Sequence, residues 1–234
     1  MKDSTKKRFQ NPDMSGLSFY HRLEALFYLF LVGALGGFLY EEIYCLIINT
    51  WLEGMPFQWR GFLYGPYLPI YGFGVVILYL VFHKLHKYPP LVFFGTIFVT
   101  GVIEYVCGWA FLTFAGYRLW DYTGRFMNFG GHVSLQTLLI FGVLSLISAY
   151  FVQPFLFRQY LKTKPKTRTV IAAICLAVLL TDLVITLIFP NTLGYSLSVE
   201  SNSSNFLIRQ IINSDRICRR LLFDKLEIVV INQS

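Results

Sequence analysis

The chain has 234 residues, of which 55% are hydrophobic, 18% aromatic and only 14% charged. Soluble domains carry about 25% charged residues, so this composition argues against a soluble globule and excludes a disordered chain, which needs low hydrophobicity. The net charge of +7 is compatible with nucleic-acid binding. The basic residues, however, lie between apolar runs, so we predict a polytopic membrane protein that has the lipid bilayer, and no nucleic acid, as its partner.

Five apolar runs reach the length of about 20 residues that a membrane-spanning helix needs. They cover residues 25–48, 63–82, 91–114, 133–157 and 170–189. A polar segment precedes the first run and no small-residue cleavage site follows it, so we do not expect a cleavable signal. The pattern predicts an all-α transmembrane helix bundle of about five spans, the second broken by Gly and Pro.

The chain divides into three predicted parts: a basic N-terminal segment over 1–22, a transmembrane helical domain over 23–189, and a linker with a basic tail over 190–234. The N-terminal segment and the second and fourth gaps hold twelve Lys and Arg, against three in the first and third gaps. Positive residues favour the cytoplasmic side, so we expect a multi-pass protein of the cell membrane with a cytoplasmic N-terminus. The parity of five spans puts the basic tail outside, and a re-entrant piece or a membrane-surface helix would remove that conflict.

The cysteine and histidine spacings give no metal signature. The four cysteines form no CxxC pair, and three of them lie inside apolar runs, where Cys behaves as a small hydrophobe. His83 and His86 have a helical spacing, but no acid or Cys joins them. We therefore expect no metal and no cofactor.

Two acids inside the apolar runs are candidate functional residues, because an ionisable group in a bilayer is costly and usually faces a cavity or a partner. Glu41 shares a helix face with Gly33 and Gly37, and Glu104 shares one with small residues of the third run. At about 1.5 Å per residue, Glu41 lies about 24 Å and Glu104 about 20 Å from the cytoplasmic start of its run. Both acids are expected in the outer half, either as structural groups that pair with Arg60 or as groups that bind a cation or carry protons.

The segment 60–74, RGFLYGPYLPIYGFG, is expected to enter the membrane from its outer side. Its helix-breaking residues are Gly65, Pro66, Pro69, Gly72 and Gly74. Irregular backbone at membrane depth requires polar partners from protein or a water-filled cavity, and broken helices often line transporter sites. The alternative is a proline at a helix start followed by close glycine packing.

The third gap, 117–132, alternates polar and aromatic residues. Asp121 is suited to pair with Arg125 or Arg60, and His132 lies where the fourth run begins, as an interfacial residue or as a base. Because isolated carboxylates at this depth are expensive, we predict that Glu41, Arg60, Glu104 and Asp121 converge beside the Gly-Pro break. His132 completes the candidate set for substrate or proton binding.

The run 37–155 resembles a family of bacterial integral-membrane proteins called putative ABC-transporter type IV, or CmpB-like. The matching pieces are GFLYE at 37–41, the long segment at 60–74, EY at 104–105, WDY at 120–122 and FGG at 129–131. The family often has arginine after these glycines, where this chain has His132. The resemblance implies a permease, although the sequence has no GxxxxGK[ST] phosphate loop. As its partner we expect an ATPase subunit or a second copy of the chain.

Three functions compete at this point. A permease or transporter component would use Glu41 and Glu104 to bind a cationic group or protons. A non-transporting accessory or assembly protein would use the same motifs for packing. A membrane-embedded enzyme on a lipid-like substrate would use Glu41, Glu104, Asp121 and His132 as acid–base groups, but no nucleophile–base signature supports it, so no residue is assigned as catalytic.

Overall fold

A computed structural model describes residues 11–12, 14, 16–52, 61, 63–115 and 120–188. Arg60, most of the basic N-terminal segment and the tail over 190–234 therefore lie outside the described residues. The described elements, in chain order, are α1 (Phe19–Tyr44), α2 (Pro69–Phe82), α3 (Pro89–Ala110), β1 (Asn128–Phe129), β2 (Val133–Ser134), α4 (Leu135–Ile147), α5 (Gln153–Lys162) and α6 (Pro165–Ile188). Wider π-helical turns extend α1 over Cys45–Leu52, extend α3 over Phe111–Ala115, and join α4 to α5 over Ser148–Val152.

The helices confirm the predicted all-α membrane bundle of about five spans. In the described residues, four apolar helices are long enough to cross a membrane, Phe19–Leu52, Pro89–Phe114, Leu135–Lys162 and Pro165–Ile188. The fifth, α2, has 14 residues, or about 21 Å at about 1.5 Å per residue. That is shorter than a hydrocarbon core of about 30 Å, because the Gly-Pro turn before it is not helical.

Helix starts follow from side-chain caps and prolines. Ser18 precedes α1 and accepts a hydrogen bond from the amide of His21, while Ser134 caps α4 in the same way by accepting from the amide of Thr137. Pro69 and Pro89 begin α2 and α3. A proline fits there because the first amides of a helix have no intrahelical acceptor.

Glycines allow the closest helix contacts. The most extensive contacts join α1 to α2 and α3 to α4. A Cβ at Gly33 would lie 3.2 Å from the Cα of Gly72, and one at Gly37 would overlap the ring of Tyr71. The small-residue face predicted for α1 is thus the face that α2 covers, as is typical of membrane helices.

The bundle has two ends that matter for the site. At the first, which we call the α1-start end, Ala25 and Leu29 of α1 pack with Phe157 and Tyr160 of α5. At the opposite end, the hairpin end, β1 and β2 form a two-stranded antiparallel hairpin before α4. Large apolar side chains such as Phe98, which is 73% exposed, cover the outside of the helices, as expected of a surface that contacts lipid rather than water.

Candidate functional site

Two carboxylates and three tyrosines meet near the hairpin end of the bundle. We call Tyr40, Glu41, Tyr71, Glu104 and Tyr122 the carboxylate–tyrosine cluster. The Tyr71 hydroxyl of α2 donates a hydrogen bond to Oε1 of Glu41 on α1. The Tyr122 hydroxyl, from the loop before the hairpin, donates to Oε1 of Glu104 on α3 at 2.9 Å. Tyr40 interacts electrostatically with both glutamates, so the cluster joins α1, α2, α3 and the loop.

Glu104 is the most confined member of this cluster. It is only 8% exposed, and its Oε2 atom is buried with no hydrogen-bond partner among the described residues. Glu41 and Glu104 interact electrostatically, so a negative charge on both at once is costly in a region of low dielectric. Such a pair favours uptake of a positive charge, either a proton or a cationic group of a ligand.

Tyr122 supplies the hydrogen-bond donor to Glu104. Burial raises the pKa of the Tyr122 phenol, and the charges of Glu104 and, more weakly, of Glu41 raise it further. The hydroxyl therefore stays protonated at neutral pH. It then keeps its proton available for the bond to Glu104.

The hairpin loop positions Tyr122. Gly130 and Gly131 have φ of +60° and +72°, a backbone conformation that favours glycine. Their turn brings the carbonyl oxygen of Gly131 within 2.9 Å of the backbone amide of Tyr122, which donates to it. The FGG motif thereby fixes the loop from which the Tyr122 side chain reaches Glu104.

His132 is buried by packing against α3. A Cβ at Gly108 would lie 2.9 Å from Nδ1 of His132, and the Tyr105 ring meets the imidazole edge-on with the centroids 5.6 Å apart. The indole nitrogen of Trp120 donates to the backbone carbonyl of His132 at 2.8 Å. Gly108 is one helical turn beyond Glu104, so His132 packs on α3 next to the cluster.

Asp121, another predicted member, lies in the loop before the hairpin. Asp121 is exposed, and its Oδ1 accepts hydrogen bonds from the amide and the hydroxyl of Thr123 at 2.8 and 2.5 Å. It therefore shapes the turn next to Tyr122, whereas Glu104 lies in the interior. Arg60 lies outside the described residues.

The Gly-Pro segment is held by an acid that the sequence analysis did not assign to the site. Asp182 of α6 is 9% exposed and accepts hydrogen bonds from the amides of Tyr64 at 3.1 Å and Gly65 at 2.9 Å. It also accepts from the Tyr67 hydroxyl and, at 3.3 Å, from the Thr186 hydroxyl. A carboxylate thus supplies the partners that irregular backbone at this depth requires.

The break therefore precedes α2 rather than interrupting it. Gly65 and Pro66 lie in the turn, Pro69 is the first helical residue, and the helix continues through Gly72 and Gly74. The amide of Leu68 also donates to the carbonyl of Ala34 on α1 at 3.0 Å. This geometry corresponds to the alternative in which a proline starts the helix and close glycine packing follows.

A further buried acid, Glu24, lies at the α1-start end. The Glu24 carboxylate forms an ion pair with Nε of Arg168 at 3.2 Å. It also accepts hydrogen bonds from the hydroxyls of Tyr160 at 2.6 Å and Thr169 at 2.8 Å. Glu24 thus joins α1 to α5 and α6. The sequence held a signal for this pair, because Glu24 lies at the edge of the first apolar run and Arg168 lies in a basic gap. The sequence analysis used that gap only to predict the orientation in the membrane.

Within the described residues, no group of three His, Cys, Asp or Glu side chains is arranged to hold a metal ion. The carboxylate–tyrosine cluster offers two carboxylates and phenols. Its chemistry is that of hydrogen-bond acceptance and attraction of positive charge.

The comparisons with known proteins agree with the motifs. Neither the curated proteins nor the solved structures contain a match to the chain. A family model described as "Putative ABC-transporter type IV" matches residues 28–187, which is more than half of the 234-residue chain and includes α2 to α5 and the whole carboxylate–tyrosine cluster. The chain therefore belongs to the Putative ABC-transporter type IV family of membrane proteins.

Proposed function

We propose that the protein is a permease or transporter component in which the carboxylate–tyrosine cluster receives a positive charge during transport. The observation that carries this proposal is the buried Oε2 of Glu104, which has no hydrogen-bond partner among the described residues. A membrane helix does not keep such an atom without cost. The family description, the multi-pass architecture and the electrostatic interaction of Glu41 with Glu104 support the same proposal.

The transport test does not require the transported solute to be known in advance. The full chain is reconstituted in vesicles, a mixture of small metabolites is added with and without imposed pH and voltage gradients, and mass spectrometry identifies what enters beyond protein-free vesicles. We expect uptake of at least one solute class and its loss in Glu104→Gln. The absence of uptake or release of any class under every gradient contradicts the proposal.

A matched variant separates function from stability. Glu24→Gln neutralises another buried acid of the same bundle, but at the opposite end, where the carboxylate is paired with Arg168. We expect Glu24→Gln to lower thermal stability and Glu104→Gln to remove uptake while the protein stays folded. If uptake and stability instead fall in proportion in both variants, the cluster only joins helices.

The source of energy is part of the proposal. We propose that an ATPase subunit or a second copy of the chain completes the transporter. Purification from native membranes in mild detergent, with the ATP hydrolysis of the eluate as the readout, tests this. Stoichiometric recovery of an ATPase supports the first partner, and a dimer mass without ATP hydrolysis supports the second.

We further propose a cell-membrane location with a cytoplasmic N-terminus, from the distribution of Lys and Arg. In a background without the four native cysteines, Thr123→Cys should react with an impermeant maleimide in intact cells. Lys164→Cys should react only after the membrane is opened. The reverse pattern would place the carboxylate–tyrosine cluster near the cytoplasmic leaflet.

A non-transporting accessory or assembly protein is the second candidate. It is favoured by Asp182 and Glu24, because both carboxylates join helices and accept several hydrogen bonds each. If the whole chain serves assembly, Glu104→Gln destabilises the bundle and no solute moves in any vesicle experiment.

A further inference from the structure

We propose that the carboxylate–tyrosine cluster binds an organic primary ammonium ion, R–NH3⁺, with one N–H donated to Oε2 of Glu104. The inference takes the cluster of the proposed function as its site and names the chemical class that the site accepts. It rests on three observations: the unused acceptor, the absence of a compensating cation among the described residues, and the aromatic rings around the acids.

The cluster offers acceptors and no spare donor. The hydroxyl hydrogens of Tyr71 and Tyr122 are already donated to Glu41 and Glu104, so each phenol oxygen has only lone pairs left. The Oε2 atom of Glu104 is a further acceptor. A ligand therefore has to bring N–H or O–H groups, and an anion or a pure acceptor is excluded by repulsion.

The charge of the cluster also requires a cation. Within the part of the chain that the structure describes, no Lys or Arg side chain forms an ion pair with Glu41 or Glu104, and the buried Arg168 is paired with Glu24 instead. Two carboxylates that interact with one another, with no positive partner among the described residues, attract a charge of +1 at this depth. An ammonium head supplies the charge and the donor in one group.

Aromatic rings favour an organic cation over a hydrated inorganic one. The Tyr40 and Tyr71 ring centroids are 6.2 Å apart, and Phe141 of α4 meets Tyr71 edge-on at 5.9 Å. Ring faces attract ammonium groups by about 0.5–2 kcal/mol each. Ca²⁺ instead binds through oxygen ligands alone and gains nothing from the ring faces.

Isothermal titration calorimetry of the purified full chain with ethylammonium chloride tests the inference. We expect saturable binding of ethylammonium, binding of tetramethylammonium at least about tenfold weaker because it has no N–H to donate, and no saturable signal from sodium or ethanol. Equal binding of tetramethylammonium or sodium, or no saturation with ethylammonium, overturns the inference.

Variants locate the bound amine. Glu104→Gln should weaken ethylammonium binding at least about tenfold, which is a loss of about 1.4 kcal/mol. Tyr40→Leu should weaken it and Tyr40→Phe should not, because the ring and not the hydroxyl is required. Glu24→Gln, the acid at the other end, should bind as the unaltered protein does. If Glu104→Gln does not fold, the comparison of Tyr40→Leu with Tyr40→Phe tests the site. Equal affinity of these two variants for ethylammonium contradicts the proposed site.

The results distinguish this inference from the proposed function. Saturable ethylammonium binding without movement of any solute in vesicles keeps the ammonium site and rejects the permease. Uptake of a solute by a protein that does not bind ethylammonium keeps the permease and rejects the ammonium site.

Discussion

Removing the Asp182 carboxylate should release the Gly-Pro turn from α6. In Asp182→Ala, the amides of Tyr64 and Gly65 and the hydroxyl of Tyr67 lose their acceptor. Hydrogen bonds between helices in membrane proteins contribute about 0.6 kcal/mol each on average and up to about 1.7 kcal/mol. Loss of these three bonds therefore lowers the free energy of unfolding by about 2–5 kcal/mol.

Two measurements check this expectation. Titration with SDS in mixed micelles gives the change in the free energy of unfolding, and hydrogen exchange read by mass spectrometry reports the amides of Tyr64 and Gly65. Thr186→Val is the control, because it removes only the 3.3 Å hydrogen bond to Asp182 within α6, at a cost of about 0.5–1.5 kcal/mol. The reasoning is refuted if Asp182→Ala leaves exchange at Tyr64 and Gly65 unchanged, whatever happens to global stability.

Two further substitutions test the packing and the second acid. Gly37→Ala should destabilise the bundle by about 1–3 kcal/mol, since its Cβ would overlap Tyr71. Gly36→Ala is the control and should be nearly neutral, because its Cβ would have nothing within 4 Å. Equal melting temperatures of the two variants would contradict this. Arg168→Met should cost about 3–5 kcal/mol, because it leaves Glu24 buried without its cation. The double variant with Glu24→Gln should lose clearly less than the sum of the two single losses in SDS titrations, and a strictly additive result would show that the ion pair contributes nothing.

The helices were predictable because their signals are local and large. Runs of about 20 apolar residues and prolines at helix starts do not depend on the rest of the chain. The length of α2 was harder to predict. Residues 63–68 are as apolar as a helix, and Gly65 and Pro66 disfavour helix there without fixing where the turn ends. Hydrogen bonds to Asp182 and Ala34 stabilise the turn in the folded chain.

The site was predictable in part, since depth along a helix follows from counting residues. That arithmetic put Glu41 and Glu104 at similar levels, but depth alone does not say which way each side chain points. Tyr71 and Tyr122, their hydrogen-bond donors, come from other elements. Tyrosines are also frequent in this chain, with 15 in all, so no single one stands out. Asp182 was visible as an acid in the last apolar run, but its partners in the Gly-Pro segment lie more than 100 residues earlier in the chain.

Hydrogen-bond satisfaction distinguishes Asp182 and Glu24, which join helices, from Glu104. Asp182 accepts four hydrogen bonds, and Glu24 combines hydroxyl donors with an arginine. A carboxylate with such partners has few acceptor positions left for a ligand. Glu104 is equally buried but has a single donor to one oxygen and none to the other among the described residues. Because an unpaired carboxylate oxygen is costly at this depth, we infer that Oε2 of Glu104 is an acceptor available to a ligand.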